Sequence, residues 1–560
     1  MPNPVLPDEN VDIVVVGSGA GALAAAVTAA ELGATVLVVE KAHLYGGTSA
    51  TSGGTIWIPC SHLQPPQARD NPGDALKYLQ QLAGDVVPES RLRTYVERAP
   101  EMLKFLVERC EQQFQAVPYP DYHTDLAGSR EGWRSHDPLP ISTDDIPRDQ
   151  ATLQPPHPSM PLFGKINFTS QEFRPMMRKE KGWVGVLLRI IAKYYLDVGQ
   201  RLKSPKDRRL TMGNALVARL RAAANKRKVQ VWLSSPLDEF IVENGRVTGV
   251  VVRRGGASQR VYAKRGVIVG AGGFERNGEM RQQYLPKPTA AEWTVAQPFN
   301  TGDAIRAGQK IGAQMALMDQ AWWAPGYRLE DVDRAYPLFV ERALPNCLIV
   351  DQDGKRYMNE SASYHVAGAQ MLAHGAKAAP SFVIFDAVFR QKYALGPILP
   401  GPPAMDGRIR RSMRELFRRA DSVAQLAQLI GVAAPALEAS VARFNDFAQA
   451  GKDLDFGRGD TAYDRYYGDP HVTPNPNLGP VMKPPFYALP IYPCDIGTKG
   501  GFLTDERARV LGQNNAPIEG LYAIGNGAAS VMGKSYPGAG STLGPAMTFG
   551  YIAACDAVGK

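Results

Sequence analysis

Residues 11–40 place a strand, a glycine-rich turn, a helix and a second strand in immediate succession. Asp12 to Val16 is almost continuously apolar and rich in β-branched residues, which is typical of a strand buried on both faces of a parallel sheet. The alanine-rich stretch from Leu23 to Leu32 predicts a helix, and the apolar run from Ala34 to Val39 predicts the next strand. This unit constrains the chain to an α/β fold with parallel strands.

The turn between the first strand and the helix has the spacing of a dinucleotide-binding motif, G-x-G-x-x-A. Gly17 permits a tight turn, Gly19 lets a pyrophosphate approach the backbone, and Ala22 keeps the helix close to the sheet. The helix N-terminus attracts phosphates, and Glu40 at the tip of the second strand can accept a hydrogen bond from a ribose hydroxyl. Because the motif lies between two strands and opens a helix, it predicts a bound dinucleotide without distinguishing FAD from NAD.

A second glycine-rich stretch, from Gly46 to Gly54, follows this unit directly. It is rich in hydroxyls and backbone amides, so we predict a loop that wraps a pyrophosphate and a flat ring. Together the two stretches resemble the start of the fumarate reductase and succinate dehydrogenase flavoprotein superfamily. Members that attach FAD covalently use a histidine downstream of this loop, and no histidine occurs from Leu44 to Ser61. The resemblance therefore implies FAD that is bound non-covalently.

Composition argues against several other classes of protein. The five cysteines are scattered and form no CxxC pair, which gives no support for a zinc, iron–sulfur or haem site and suggests reduced thiols in the cytoplasm. We expect no signal peptide, because no basic region precedes the first apolar run, and no membrane-spanning helix. Residues 174–209 carry 11 basic and 3 acidic side chains, so the net charge of this segment is +8, the same as that of the whole chain. The excess of positive charge is therefore local and does not indicate a nucleic-acid-binding surface.

The order of strands, helices and glycine turns divides the chain into an FAD-binding domain and an inserted domain. We assign 1–298 to the first part of a Rossmann-like FAD-binding domain with a proline-rich excursion at 138–210, 299–486 to an inserted α+β substrate domain, and 487–560 to the closing part of the FAD-binding domain. Within the first part, Asn244-Gly245 predicts a turn between two strands. Gly520 to Ile524 predicts a late strand that enters a glycine turn and closes the FAD site.

A glycine-rich turn with one tyrosine, Ser535-Tyr536-Pro537-Gly538-Ala539-Gly540, opens the last predicted helix. The Tyr536 phenol and the Gly540 amide can converge on one carbonyl oxygen, which is an oxyanion-hole arrangement. This stretch closely resembles the C-terminal motif of the 3-ketosteroid Δ1-dehydrogenases. Pro120–His123, Asn359–Tyr364 and Thr498–Gly501 agree with the same family, whereas 138–210 matches it least well.

The resemblance to this family implies a mechanism and a set of residues. Tyr536 and the Gly540 amide would polarise the C3 ketone of a steroid, Tyr364 would remove a C2 proton, and Tyr122 would assist Tyr364. Hydride would pass from C1 to the flavin, and a quinone or a redox protein would accept the electrons. A tyrosine with the usual pKa of about 10 is a poor base near neutral pH, so Tyr364 needs a lowered pKa or a neighbour that accepts its proton in concert.

The nearest competitors of these catalytic candidates are Tyr119 and two histidines, His123 and His365. Lone histidines are more often structural residues than bases. We assign the following residues to FAD: Gly17, Gly19, Ala20, Gly21, Ala22, Glu40, Lys41, Gly46, Gly47, Thr48, Ser49, Ser52, Gly53, Gly54, Ala271, Gly272, Gly525, Asn526, Ser541 and Leu543. No metal is expected.

Three other functions remain open from the sequence. A fumarate- or urocanate-type reductase would need arginines and histidines around an anionic substrate, whereas the second domain offers aromatic candidates: Trp322, Trp323, Tyr357, Phe486, Tyr487 and Tyr492. A binding or redox-sensing module would not need the complete set of base and oxyanion groups. A 3-ketosteroid Δ4-(5α)-dehydrogenase is the nearest rival, and the Pro-Asp-Tyr-His stretch favours a Δ1 enzyme.

The basic segment at 178–209 surrounds a strongly apolar stretch. If Trp183 to Leu202 form one helix, Arg189, Lys193, Asp197 and Gln200 make a narrow polar stripe and leave a wide apolar face. With basic residues at both ends, such a helix favours peripheral binding to an anionic membrane surface on the inner face of the cell membrane. The alternative is that this face packs on the protein's own core or in an oligomer interface.

Overall fold

The computed structural model describes residues 6–560. Residues 1–5 lie outside the described part. They are the start of the predicted domain 1–298 and of the stretch in which we expected no signal peptide. Within it the chain builds two main sheets, and a single cavity lined by loops of both contains the predicted site residues.

The first sheet is the predicted Rossmann-like unit, and within residues 6–560 it has eight strands. They are Glu9–Val16, Val36–Val39, Gln230–Trp232, Leu237–Glu243, Arg246–Arg254, Ala257–Val269, Arg509–Leu511 and Pro517–Ala523. Glu9–Val16 lies between Val36–Val39 and Ala257–Val269, parallel to both, which explains why it is buried on both faces. The predicted turn at Asn244-Gly245 joins two antiparallel strands, and both of its residues have positive φ. The predicted late strand is also present, as Pro517–Ala523.

Two helices that pack on this sheet lie unusually close to each other. The first helix, Ala20–Glu31, crosses the last helix, Leu543–Val558. A Cβ at Gly21 would lie 2.7 Å from the carbonyl oxygen of Ala546, and a Cβ at Gly550 would lie 2.6 Å from that of Gly21. The missing side chains therefore let the helices approach, and this approach brings the C-terminal turn next to the dinucleotide motif.

The second sheet has six strands within the described residues: Ala321–Tyr327, Tyr336–Pro337, Cys347–Val350, Ser381–Phe385, Arg418–Ala420 and Phe486–Thr498. Phe486–Thr498 is central, because it pairs with Ala321–Tyr327 along one part and with Ser381–Phe385 along another. The boundary predicted at residue 486 is thus too early, since this sheet extends to Thr498. Its apolar pattern identified a strand but could not show which sheet it joins. The helix Asp303–Lys310, assigned to the second domain, packs instead with the core of the first sheet.

The remaining elements are shorter strands and the helices that cover both sheets. The short strands are Ile56–Trp57, Phe114–Val117 and Ser135–Pro138 in one small sheet, Met315–Ala316 with Gly501–Phe502, and Ile141–Ser142 with Arg209–Leu210. The other helices are Gly47–Thr51, Pro72–Ala83, Glu89–Arg109, Ser170–Arg178, Trp183–Leu196, Val198–Lys203, Met212–Lys226, Gly278–Tyr284, Tyr364–His374, Ala387–Lys392, Arg411–Leu416, Val423–Ile430, Ala434–Ala450 and Ala462–Tyr466. The stretch from Gly46 to Gly54, predicted to be a loop that wraps a pyrophosphate and a flat ring, contains the short helix Gly47–Thr51.

The excursion at 138–210 is closed by the ribbon of Ile141–Ser142 and Arg209–Leu210. Its apolar stretch is not one helix from Trp183 to Leu202, because the helix ends at Leu196 and a second one begins at Val198. Asp197 separates them with non-helical backbone angles, and its side chain caps the second helix at the amide of Gln200. Prediction of a single helix failed because apolar periodicity does not show such a capped break.

No helix within residues 6–560 is both long and apolar enough to cross a bilayer. In the same part of the chain, no three His, Cys, Asp or Glu side chains are grouped to hold a metal ion. The five cysteines are not paired with one another, and four of them are buried.

Candidate active site

One elongated cavity brings the predicted cofactor and catalytic residues together. It is lined by the dinucleotide motif, by the stretch from Gly47 to Thr55, by loops of the second domain and by the C-terminal turn. The predicted cofactor residues on its wall are Gly17, Gly19, Ala20, Gly21, Ala22, Glu40, Lys41, Gly47, Thr48, Ser49, Ser52, Gly53, Gly54, Ala271, Gly272, Gly525, Asn526 and Leu543.

Two residues assigned to the cofactor do not line this wall. Gly46, at φ +108°, precedes the short helix, and its amide donates to the Ser18 hydroxyl. The Ser541 side chain is fully buried, and its hydroxyl exchanges hydrogen bonds with the backbone of Gly538. Both residues support the wall from behind, which sequence spacing cannot distinguish from direct contact.

The dinucleotide end of the cavity suits a bulky anionic group. Gly17 has φ +101°, and a Cβ there would lie 2.4 Å from the carbonyl oxygen of Gly270. Gly47 and Gly53 have no other atom within 4 Å of the position of a Cβ, so open space lies beside both. This space next to the N-terminus of the first helix fits the pyrophosphate of a dinucleotide.

Glu40 and Lys41 lie at the far end of the same wall and are partly engaged by the protein. The Glu40 carboxylate accepts hydrogen bonds from the amide and hydroxyl of Ser18 and from the amide of Ala42, at 2.6–2.9 Å. Burial raises the pKa of Glu40, although these bonds oppose the shift. One carboxylate oxygen accepts only a single bond and so retains capacity for a ribose hydroxyl. The Lys41 ammonium pairs with Asp303 at 2.5 Å.

Three tyrosine rings meet near the other end of the cavity: Tyr364 and Tyr536 line its wall, whereas Tyr122 packs against both without lining it. Tyr122 stacks on Tyr536 with ring centroids 5.1 Å apart, and Tyr364 meets each of them edge-on at 5.4 Å. Burial is the main influence on the pKa of Tyr364 and raises it; the neighbouring Tyr536 also raises this pKa, and the hydrogen-bonding influence of Tyr122 lowers it. Tyr119 points elsewhere, since its hydroxyl donates to Asp137. The geometry thus identifies Tyr122, and not Tyr119, as the partner of Tyr364.

Each tyrosine is held by a different element. Tyr364 is the first residue of the helix Tyr364–His374, which Ser363 caps through the amide of Val366. The Tyr122 amide donates to the carbonyl of Pro537 at 2.8 Å. Its neighbour Asp121 is buried and accepts bonds from the Trp57 indole and the Arg134 guanidinium, at 2.8 and 2.7 Å.

The turn from Gly533 to Gly540, here called the oxyanion turn, is held through its carbonyl groups. The donors to these carbonyls are Lys499 to Gly533 and Ser535, His365 to Lys534, Tyr78 and Tyr122 to Pro537, Ser541 to Gly538, Ser135 to Ala539, and Trp57 to Gly540. Gly540 has φ +100°, and a Cβ there would lie 2.4 Å from the backbone of Ile56. The Thr542 hydroxyl donates to the Tyr536 oxygen at 3.2 Å, and the Gly540 amide, which lowers the pKa of Tyr536, lies beside the same hydroxyl. Two donors therefore converge at one point on the cavity wall.

Burial dominates the acid–base properties of this cluster. It raises the pKa of Tyr122 and of Tyr364 well above 10, and it raises the pKa of Tyr536 against the hydrogen bonds from Thr542, Tyr364 and Gly540. All three phenols are therefore neutral near pH 7. Of the two explanations left open for a tyrosine base, the structure favours a neighbour that takes the proton over a lowered pKa.

The two nearby histidines are poorly suited as bases. His365 accepts from the amide of Trp323 through Nδ1 and donates to the carbonyl of Lys534 through Nε2, so both ring nitrogens are used. Burial lowers the pKa of His365 and of His123. His123 contacts the Ser535 hydroxyl through Nε2 at 3.4 Å.

The aromatic residues predicted to form the substrate pocket do not line it. Trp322 lies directly behind Tyr536, and the other five belong to the cores of the two domains or to the satellite cluster around Tyr492. The wall instead includes residues that the sequence analysis missed: His157, Ser159, Met160, Gln297, Asn300, Pro337, Phe339, Val340, Tyr463, Tyr467, Ile496 and Thr542. These residues come from loops, from the excursion, and from a short helix and two strands that contain Tyr463, Pro337 and Ile496, and no periodic pattern reveals which of their side chains converge.

Comparison with known proteins agrees with this site. The FAD binding domain family matches residues 12–543. A 3-oxosteroid 1-dehydrogenase of Mycolicibacterium smegmatis is 41% identical, and the alignment covers 97% of this chain and 96% of that protein. The crystal structure of 3-ketosteroid Δ1-dehydrogenase from Sterolibacterium denitrificans, in complex with 1,4-androstadiene-3,17-dione, superposes with a TM-score of 0.95 at 45% identity, over 98% of this chain and 99% of the other.

A more distant structure shares the fold alone. The 3-ketosteroid-Δ4-(5α)-dehydrogenase of Rhodococcus jostii RHA1 has a TM-score of 0.67 at 21% identity and covers the full length of both chains. Identity over nearly the whole chain, a matching FAD-binding domain and a cavity with the dinucleotide motif at one end all agree. The protein is therefore an FAD-dependent oxidoreductase, and it belongs to the family of the 3-oxosteroid 1-dehydrogenases.

Proposed function

We propose that the protein removes hydrogen from C1 and C2 of 3-ketosteroids and converts 3-oxo-4-ene steroids to 1,4-dienes. The observation that carries this proposal is the convergence of Tyr536 and the Gly540 amide with Tyr364 in the cavity that also contains the dinucleotide motif, with the Tyr122 ring packed against both tyrosines. This combination provides two hydrogen-bond donors for a ketone and a proton acceptor beside it.

The oxyanion turn would bind the C3 ketone. As the C2 proton leaves, negative charge develops on the ketone oxygen, and the Tyr536 hydroxyl and the Gly540 amide stabilise it. Because the carbonyl groups of the turn are already bonded to the protein, these donors need little rearrangement during the reaction. The N-terminus of the last helix adds positive potential at the same place.

Tyr364 would act as the base together with Tyr122. A neutral phenol can take the C2 proton only if its own proton leaves in the same step, so the Tyr364 proton would pass to the neighbouring Tyr122 phenol, and the Tyr122 proton would pass on to solvent. Burial opposes an isolated tyrosinate, which favours this concerted transfer. Tyr122 is in turn in edge contact with Tyr463, at 5.1 Å.

FAD, when bound, accepts the hydride that leaves C1, and a quinone or a redox protein then takes the electrons. The residues that would hold it are those of the dinucleotide motif, Glu40, the stretch from Gly47 to Gly54, and Asn526. We propose non-covalent binding. His157 is the one histidine on the described cavity wall, and its ring nitrogens are bonded to Ser159 and to the carbonyl of Ala335.

Release of the cofactor tests this binding mode. Acid or heat should release FAD quantitatively into the supernatant of the denatured protein, where its absorbance is measured. Yellow colour that remains with the washed precipitate would contradict the proposal.

The described wall is better suited to an uncharged substrate than to an anionic one. Lys41 is its one cationic side chain, and it is paired with Asp303. Phe339, Val340 and Ile496 supply apolar surface instead. This argues against fumarate and other dicarboxylates, which need unpaired cations. It does not separate a Δ1 from a Δ4 enzyme, for which the family assignment favours the Δ1 reaction.

Anaerobic mixing with 4-androstene-3,17-dione tests the reaction. The flavin absorbance should bleach, and NMR should identify the product as the 1,4-diene. A Δ4-(5α)-dehydrogenase could not oxidise this substrate, which already contains the Δ4 double bond. Bleaching by succinate, or no bleaching by the steroid, would overturn the proposal.

We propose further that the excursion binds the surface of an anionic membrane. Ile190 and Tyr194 are buried in a small cluster with Ile166 and Phe168, which also belong to the excursion. On the other side, Leu188, Leu196 and Leu202 are 59%, 78% and 83% exposed. The alternative of packing on the protein's own core thus accounts for one side of the segment only.

Charge on the excursion agrees with a lipid surface. Lys181, Arg189, Lys193, Lys203 and Lys206 are exposed around the three leucines. An apolar face bordered by cations suits the interface of an anionic bilayer. A steroid substrate partitions into such a bilayer, so binding there would bring the protein to its source.

Sedimentation with liposomes of phosphatidylcholine and phosphatidylglycerol tests this second proposal. Replacing Leu188, Leu196 and Leu202 by serine should weaken binding by about tenfold or more, because less apolar surface is buried in the lipid. A matched control replaces Leu429, Leu454 and Met482, which are also exposed, and should bind as the wild type does. High salt should weaken wild-type binding. Equal sedimentation of both triple variants would contradict the proposal.

A further inference from the structure

We propose that Lys499 is a positioning residue of the reaction. It holds the oxyanion turn so that the Tyr536 hydroxyl and the Gly540 amide remain directed at the ketone oxygen of the substrate. The expected effect of Lys499 on the reaction rate rests on the proposed function, whereas its role in holding the turn does not. Lys499 follows the long central strand Phe486–Thr498 of the second sheet, and thereby connects that sheet to the turn.

The contacts of Lys499 converge on the residues before Tyr536. Its ammonium donates to the carbonyl of Gly533 at 3.3 Å and to that of Ser535. Ser535 directly precedes Tyr536, so the second bond fixes the peptide from which the phenol extends. No other charged side chain among the described residues bonds a carbonyl of this turn.

The Lys499 ammonium also contacts an aromatic ring that supports Tyr536. It lies 4.2 Å from the centre of the Trp322 ring, and this ring meets Tyr536 edge-on at 4.9 Å. The Trp322 indole donates to the Asn526 side chain on the cavity wall at 3.0 Å. Lys499 therefore supports both the backbone and the ring of Tyr536, and through Trp322 it is connected to the cofactor region.

Burying a lysine here is energetically unfavourable if the only role of its side chain is to fill space. Its side chain is fully buried, and within residues 6–560 it forms no ion pair with a carboxylate. Burial of a cation without a counter-charge is unfavourable, and burial lowers the pKa of Lys499 well below its usual value. An apolar side chain of similar length would fill the same volume without this cost. The donors are what distinguish the lysine, and they hold the turn.

Hydrogen–deuterium exchange on the holoenzyme tests the structural part without any substrate. In Lys499→Met, the amides of 533–544 should exchange at least about tenfold faster than in the wild type, because two carbonyl bonds are lost. Lys534→Met is the matched control, since Lys534 lies in the same turn and is exposed. Unchanged exchange in Lys499→Met, or an equal rise in Lys534→Met, would overturn the proposal.

Anaerobic stopped-flow reduction by 4-androstene-3,17-dione tests the catalytic part. The rate constant at saturating steroid should fall by about 10–10²-fold in Lys499→Met, because a small displacement of a reacting group has an effect of this size. The steroid Kd should change less than threefold. Lys499→Gln, which keeps an NH2 donor group on a shorter and uncharged side chain, should give an intermediate rate. Normal FAD content in either variant shows that the protein is folded, and if Lys499→Met does not fold, the glutamine variant serves in both tests.

The outcomes separate this inference from the proposed function. A wild type that the steroid does not reduce removes the proposed function, while faster exchange in Lys499→Met still supports the role of Lys499 in holding the turn. If the steroid reduces the wild type and Lys499→Met at the same rate, the inference is contradicted and the proposed function stands.

Discussion

Tyr536 and Tyr364 are both buried phenols, but their surroundings prepare them for opposite roles. The Tyr536 oxygen accepts a hydrogen bond from the Thr542 hydroxyl, whereas the Tyr364 ring lies edge-on to two other tyrosine rings, those of Tyr122 and Tyr536. Extra donors lower the tendency of the Tyr536 oxygen to take up a proton and strengthen its O–H as a donor. A phenol that shares its proton with a second phenol is better placed to exchange it.

The first prediction concerns the oxyanion donor. Replacing Tyr536 by phenylalanine should lower the rate constant of flavin reduction by a factor of about 10²–10³, the usual effect of removing one such donor. FAD content should be unchanged. The control is Tyr551→Phe on the last helix, whose hydroxyl contacts Glu101 outside the cavity. A near-normal rate in Tyr536→Phe would remove this residue from the mechanism.

The second prediction concerns pH. Because burial raises the pKa of Tyr364 well above 10, the residue stays protonated from pH 7 to 9 and works by concerted transfer, so the rate of reduction should show no titration in this range. Exchange of the C2 proton of a bound 3-ketosteroid in deuterated buffer should be equally independent of pH. Tyr364→Phe should abolish this exchange, and Tyr122→Phe should slow it. Persistent exchange in Tyr364→Phe would show that another group is the base.

Single residues were predictable where a motif names both the residue type and its neighbours. Tyr536 and Gly540 belong to one short turn, so their convergence could be predicted from local spacing. The role of Lys499 could not be predicted in this way, because its contacts with Gly533 and Ser535 depend on the path of a strand in the other domain.

At the scale of elements, the close contact of the first and last helices connects both ends of the chain at the cofactor site. Gly21 and Gly550 make this contact possible, since a side chain at either position would meet backbone of the other helix. Backbone cannot move aside as a flexible side chain can, so the spacing of the two helices is fixed by these glycines.

The third prediction follows from this contact. Gly550→Val should lower the free energy of unfolding by about 1–3 kcal/mol, as overpacking usually does, and it should also weaken FAD binding. Thermal unfolding and a fluorescence titration of the apoprotein with FAD measure the two effects. Gly278→Val, in a helix where a Cβ would meet nothing within 4 Å, is the control and should leave FAD binding unchanged. Normal FAD affinity in Gly550→Val would contradict this account.

Most strands of the first sheet were predictable because each has its own apolar pattern, but the short strand Arg509–Leu511 was not predicted. The break at Asp197 and the membership of Phe486–Thr498 in the second sheet were not predictable, because both depend on contacts with distant segments. The small helix Gly47–Thr51 has the composition of a loop and is stabilised by the structure around it.

At the scale of the whole molecule, His157 ties the excursion to the second domain. Its Nε2 donates to the carbonyl of Ala335, and its ring meets Tyr336 edge-on at 5.1 Å. Burial lowers the pKa of His157 to about 4, so the residue is neutral in the folded protein above that pH.

The fourth prediction follows from this shift. Below pH 6.5 the unfolded chain protonates His157 while the folded protein does not, so this stabilisation is complete above pH 6.5 and is lost as pH falls towards 4. The loss attributable to His157 should be about 3 kcal/mol. Denaturant unfolding from pH 7 to 4 should therefore show a shallower decline for His157→Gln than for the wild type. His471→Gln, which changes an exposed histidine, is the control. Parallel declines in all three proteins would contradict the prediction.

The ribbon of Ile141–Ser142 and Arg209–Leu210 has a consequence for how such proteins diversify. Because paired residues of an antiparallel ribbon lie only about 5 Å apart, the excursion leaves and rejoins the body of the protein at nearly the same point. Evolution can therefore lengthen, shorten or replace most of it as a cassette without displacing the strands that carry the chemistry. The stretch His157–Met160, which reaches the cavity, is the part that such exchanges must preserve. An ancestral protein could thus have acquired a new location in the cell without a change in the reaction that it catalyses.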